Sequence, residues 1–171
     1  METWDAIRSR RNVRQYEDRP IERPDLERIL EAGRRTSSAS NWQPWDFVVV
    51  TDRQQLGELS KVWQGAGHVA TSAATIALIA PLPFDERSRN WTGYDFGQAT
   101  MNMMLAATDL GIGTGHAAVS DQDQARAVLG FPEDRYCAYL LALGYPADRP
   151  LAVIERPDRR PFEEVVHWGN W

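Results

Sequence analysis

Ser40-Asn41-Trp42-Gln43-Pro44-Trp45-Asp46-Phe47-Val48-Val49-Val50 joins two kinds of chemistry in one short stretch. Its second half, Phe47 to Thr51, is a continuous β-branched run and predicts a buried strand. Its first half belongs to a polar loop, Ser37 to Pro44, rich in turn formers. Amides and hydroxyls beside two indoles fit a pocket for a flat heteroaromatic ring. Asn and Gln offer both donor and acceptor to ring carbonyls, and indoles supply an apolar wall. The plainer reading is a helix-to-strand turn with Trp45 in the core. The residues alone leave both open.

Upstream, Thr3 is positioned to cap a short helix over Trp4 to Ser9, with Trp4 and Ile7 facing inward. Pro24 suits the first turn of a second helix reaching about Arg35. Its Leu26, Ile29, Leu30 and Gly33 share one face. Downstream, Asp52 caps a helix ending near Trp63. Thr75 to Ala80 is a second apolar strand, and Pro81 to Asn90 reads as a loop. Thr92 is positioned to cap a long helix over Gly93 to Leu110, ended by Gly111. That helix is apolar on more than one face, so it is expected in a core or a subunit interface. Ile112 to Val119 is extended and Gly-rich. Ser120 or Asp121 caps a short helix to Leu129, and Tyr136 to Tyr145 is a third strong strand. The last stretch reads as an extended arm whose apolar tip, Phe162 to Trp171, needs something to pack against.

The chain has 171 residues, 43% hydrophobic and 25% charged, which is ordinary globular composition and predicts one domain over residues 1–171. A net charge of −5 argues against a duplex nucleic-acid partner. Cys137 is the single cysteine, which excludes an intrachain disulfide and a multi-cysteine metal site. No apolar stretch is long enough to span a bilayer and no leader-like segment opens the chain, so a cytoplasmic protein is expected.

Four segments carry chemistry. Arg10-Arg11-Asn12-Val13-Arg14 can present guanidinium forks to an anion. The Ser37 to Trp45 loop is the second. Gly111-Ile112-Gly113-Thr114-Gly115-His116 lacks the strand-before, helix-after context of a dinucleotide fingerprint. Its glycines are expected to let backbone N–H groups approach a ligand. The arm's Arg156 to Val166 is the fourth. His68, His116 and His167 have no metal-ligand spacing, so no metal is expected. Cys137 lies in a strand pattern and reads as a small buried hydrophobe.

Together these segments resemble the FMN-dependent nitroreductases, as a short-chain member. Residues 6–16 are similar to the family's opening motif, 40–50 to its Asn-x-Gln-Pro-Trp-x-Phe segment, and 110–115 to its glycine-bearing turn. Residues 159–166 resemble its closing arm. The matches fall in the family's order and span nearly the whole chain.

The resemblance implies an α+β, nitroreductase-like fold: a central, mostly antiparallel sheet flanked by helices. It implies an intertwined homodimer with an extended C-terminal arm and one FMN per chain at the dimer interface. By motif position, Arg10 and Asn12 fall on the flavin phosphate and Arg11 near the ribityl chain. Arg14 falls at the N1/O2 edge, where a cation stabilises reduced flavin. Ser37, Ser38, Ala39 and Asn41 match the loop meeting flavin from the second chain. Gly113, Thr114, Gly115 and His116 match the segment on its other side, and Arg159 with Arg160 a second phosphate clamp. His116 is also a candidate proton donor. An amide and basic pair under the flavin's imide edge falls within Gln64 to His68. Pro stands where Ser37 does in many relatives, and an acid-glycine pair where Ala118 and Val119 stand. The implied function is oxidoreductase: NAD(P)H is the diffusible donor, and a nitroaromatic, quinone or other electron-poor small molecule is the acceptor, in ping-pong order. A specialised flavin enzyme on the same fold (dehalogenating, flavin-cleaving or dehydrogenating) and a non-catalytic flavin-binding protein are the other readings.

Overall fold

Two of the apolar runs pair to make the centre of a sheet. In the computed structural model, which describes residues 1–171, β2 (Ala74–Pro81) lies antiparallel to β4 (Arg135–Gly144). β1 (Asp46–Val50) adds to the free edge of β2, and β3 (Gly113–Ala118) to the free edge of β4. The order is β1-β2-β4-β3, with every pairing antiparallel.

Ala74 to Ala80 are buried without interruption. An unbroken apolar run, rather than alternation, belongs to a strand covered on both faces. On one face Ile76, Leu78 and Leu141 meet Leu26 and Ile29 of α2 (Arg23–Arg34) and Phe96, Met103 and Met104 of α4 (Glu86–Asp109). On the other, Ala77, Ile79 and Leu140 meet Leu56 and Leu59 of α3 (Arg53–Leu59) and Ala125 of α5 (Gln122–Leu129). The expected α+β class holds, and Cys137 is fully buried, its thiol pushed up to about 12 by burial.

Several expected boundaries move. The long helix starts at Glu86, not after Thr92. Asp85 accepts the Ser88 backbone N–H at 2.7 Å, and Ser88 Oγ accepts the Asp85 N–H at 3.1 Å. This reciprocal cap absorbs the second half of the Pro81 to Asn90 loop into the helix. Thr92 is instead a buried interior position. α3 stops at Leu59, short of Trp63. The Gly-rich piece becomes β3, a fourth strand. Asp121, not Ser120, caps α5 by accepting the Gln124 N–H. In α1 (Thr3–Ser9) the cap position is Glu2, and the buried residues are Ala6 and Ser9. Trp4 and Ile7 face outward, at 65% and 47% exposure. No helix is long and apolar enough to cross a membrane.

The arm leaves the body after β4. Its root is tied down: Ala147 N–H donates to the Gln15 carbonyl and Ile154 N–H to the Arg8 carbonyl. Arg8 also pairs with Glu155 at 2.7 Å. Beyond that point the hydrogen bonds are internal to the arm, and Trp168 and Trp171 are exposed.

Candidate functional site

Residues 12–16 run beside β3 as an extended segment. Val13 N–H donates to the Thr114 carbonyl at 2.8 Å, and the Tyr16 hydroxyl donates to the Val13 carbonyl at 2.7 Å. Extended backbone alternates its side chains. Val13 is therefore buried, while Asn12 and Arg14 point out. The glycines of β3 serve this approach. A Cβ at Gly113 would stand 2.5 Å from Val13 Cγ2, and one at Gly115 would overlap the Val13 carbonyl oxygen. Their bareness thus admits a neighbouring segment of the same chain, where the sequence pointed to a ligand.

Behind Gly115 lies His68, on a single 3-10 turn (Gly67–Thr71). An added Cβ at Gly115 would be 3.1 Å from His68 Nε2. That nitrogen is buried and makes no well-formed hydrogen bond, although the Gly115 backbone lies close enough to favour a proton on the ring. Burial holds the His68 pKa below its ordinary value, with Arg14 adding to the effect and the Gly115 and Gly65 backbone opposing it. His116, on β3, is lowered too: by burial first, then by Arg10, Arg14 and His68. Arg10, Arg14, His68 and His116 therefore share one electrostatic neighbourhood. No carboxylate acts on either ring, and neither arginine forms an ion pair. Uncompensated cations beside a close-packed strand make a site for an anion.

Arg11 has another occupation. Its guanidinium grips Asp148 at 2.8 and 3.1 Å and also donates to the Arg149 carbonyl. It fastens the arm's root, and Asp148 is held below the usual carboxylate range chiefly by this bond.

The Ser37 to Asn41 loop is built separately, on α4. Ala39 N–H donates to both oxygens of Asp95, at 3.2 and 3.3 Å, and Asp95 is fully buried. Ser38 Oγ accepts the Gln43 N–H at 2.8 Å, and the Ser37 hydroxyl meets Gln98 at 3.3 Å. Ser40, Asn41 and Gln43 all adopt positive φ, at 51°, 56° and 52°. Such backbone costs roughly 1–3 kcal/mol per residue and persists only where its surroundings enforce it. Trp45 takes the plainer of its two readings, packing edge-on against Phe96 and stacked on Phe47. Trp42 does not, and remains exposed.

The loop makes no hydrogen bond to residues 10–14 or 113–116 of its own chain. Both groups nonetheless open onto one stretch of α4. A cavity of about 210 Å³ beside His116 and another beside Ser37 share Gly93, Gly97 and Met101 as a wall. Arg159 and Arg160 stand apart: the first donates to the Asp158 carbonyl and the second to Glu164. One chain thus assembles Arg10, Arg14, His116 and the glycines of β3. It presents the loop elsewhere and leaves the arm's arginines outside.

Two contributors escaped the sequence reading. His68 lies in Gln64 to His68, where the resemblance implied an amide and basic pair without singling out this residue. Asp95 carried a legible signal, a carboxylate on the buried stripe of Thr92, Phe96 and Ala99.

The profile of the Nitroreductase family matches residues 7–67 and 60–145. A protein of Archaeoglobus fulgidus, assigned as an NADH dehydrogenase/NAD(P)H nitroreductase, is 35% identical over 169 residues, covering 96% of each chain. A crystal structure from Clostridium acetobutylicum, assigned as an NADH oxidase, superposes with a TM-score of 0.84. It has 25% identity and covers 98% of this chain and 100% of that one. The NADPH:FMN oxidoreductase of Vibrio harveyi, solved with NAD+, gives 0.84 at 25% identity over 99% of this chain and 77% of its own. On this match of sequence and fold, the chain belongs to the nitroreductase family.

Proposed function

We propose that the protein is an FMN-dependent oxidoreductase that accepts hydride from NAD(P)H and reduces a small electron-poor acceptor in the same slot. The observation that carries this reading is that the unpaired Arg10 and Arg14 act together on His68 and His116 beside β3, with no carboxylate among them. The buried Nε2 of His68, without a well-formed hydrogen bond, is the kind of polar atom that a bound group would satisfy. The relatives' names, which include FMN and NAD(P)H, point the same way.

Bound FMN would supply the hydride chemistry. The chain's own residues bind, orient and polarise it. Arg10 and Asn12 take the phosphate side, and the free Arg14 guanidinium sets a fixed positive charge where negative charge develops on reduction. His116 lines the opposite wall. Arg11 acts one step removed, holding the arm through Asp148.

The reading includes a homodimer. The Ser37, Ser38, Ala39 and Asn41 loop cannot reach its own chain's cation cluster by any bond in the structure. A second copy would bring it there, and Arg159 and Arg160 with it. The alternating use of one slot predicts parallel lines in double-reciprocal plots.

The test is the visible spectrum of the purified protein, followed by anaerobic NADH and NADPH in separate additions. A two-band flavin spectrum bleached by either nucleotide is expected. Bound flavin that stays oxidised with both would overturn the oxidoreductase reading. No flavin after incubation with excess FMN would overturn the cofactor.

A further inference from the structure

The Trp42 indole, 46% exposed, projects from the loop because the turn around it is held in left-handed backbone. It faces a cavity of about 630 Å³, closed on the other side by the start of α4. Phe84 and Trp91 stand on that side, 83% and 45% exposed. Three large aromatics bared toward one cavity form an apolar surface that water solvates poorly. Trp91 is oriented by an edge-on contact with Tyr94, centroids 6.3 Å apart.

Arg87 lines the same cavity and makes no ion pair and no side-chain hydrogen bond. The wall's carboxylate, Asp85, is turned into the helix start and accepts the Ser88 N–H. Arg87 is therefore the cation left to meet a ligand. Ala39 and Ser40, from the loop assigned above to the flavin, complete the wall.

We propose that Trp42, Phe84, Trp91 and Arg87 form the subsite that selects the electron acceptor. It takes a flat, electron-poor aromatic ring bearing an anionic substituent, such as a carboxylate or sulfonate. The indoles stack on the ring, and the guanidinium meets the anion at its edge. A planar ring with negative charge also describes the adenosine phosphate end of NAD(P)H, so the test separates acceptor from donor. The assignment rests on the flavin reading for its distance from the reacting atoms.

Steady-state kinetics of the FMN-loaded protein with 4-nitrobenzoate, nitrobenzene and NADH tests it. Arg87→Gln should raise KM for 4-nitrobenzoate about fivefold and leave the KM of nitrobenzene and of NADH within twofold. Trp91→Leu should raise KM for both nitro compounds. Calorimetric titration of the oxidised protein with 4-nitrobenzoate should show the same fivefold weakening in Arg87→Gln, without turnover. Flavin content, read from the spectrum, should match wild type in both variants. Absence of flavin from wild type would sink the flavin reading itself. Three results with flavin bound would overturn the subsite alone. They are an equal effect on both nitro compounds in Arg87→Gln, a selective rise in KM for NADH, or a change in oligomer mass in either variant.

Discussion

Arg14 and Arg10 make no ion pair, in a chain where Arg8, Arg11, Arg23, Arg28, Arg34 and Arg35 all do. A charge-assisted hydrogen bond is worth about 1.5–3 kcal/mol. Arg14→Ala should therefore weaken FMN binding roughly tenfold to a hundredfold, read by quenching of flavin fluorescence. Unchanged affinity would remove Arg14 from the site. The two histidines give a pH prediction. Both are held below the ordinary value of 6.5. As pH falls through that value, the unfolded chain takes up protons that the folded rings refuse. The stability these rings contribute is thus complete above about 6.5 and lost as pH falls toward their folded values. The melting temperature of FMN-free protein should drop between pH 7.5 and 5.5, and His68→Gln should flatten the slope. An identical slope in the variant would count against His68. Arginine motifs are local and could be read in sequence order. The partners that decide their use could not: Asp148 lies 137 positions from Arg11, and His68 acquires its place only through Gly115.

α4 carries both the loop's tether and the wall of its cavity. Asp95→Ala leaves the Ala39 N–H without its acceptor, a loss of about 1–3 kcal/mol for a buried group. Hydrogen exchange at the Ala39 amide should accelerate, and FMN should bind more weakly while the helix itself persists. Protection equal to wild type would show that the loop stands without this carboxylate. Three of the four strands and this helix from Gly93 onward were legible because periodicity and apolar runs are local signals, whereas Gly-rich β3 carried neither and read only as extended. The first two turns were not. Two prolines and mixed charge imitate a loop, and the Asp85–Ser88 cap departs from the usual Glu or Gln at its far end. The first helix misled in another way: its Trp4 and Ile7 were expected inward because they are apolar, yet they face out. Within the single chain nothing covers them.

At the scale of the molecule, Trp4, Tyr94, Met101, Phe162 and Trp168 are all exposed. So much bared apolar surface is costly in a lone chain. Light scattering should give twice the 19.4 kDa chain mass. Deleting residues 157–171 removes no hydrogen bond or ion pair to the body, so the melting profile of the fold should survive. The same deletion should lower the dimer fraction and weaken FMN binding. A truncated protein that stays dimeric and binds FMN as tightly as wild type would place the arm outside the assembly. The reciprocal cap that starts α4 has one more consequence. Asp85 and Ser88 fix the helix origin by themselves, so the exposed neighbours Phe84, Arg87 and Trp91 are free of that duty. Substitutions at such exposed sites usually shift stability by only about 0.5 kcal/mol. New preferences can therefore be sampled there, by drift or in a randomised library, while the scaffold keeps its footing.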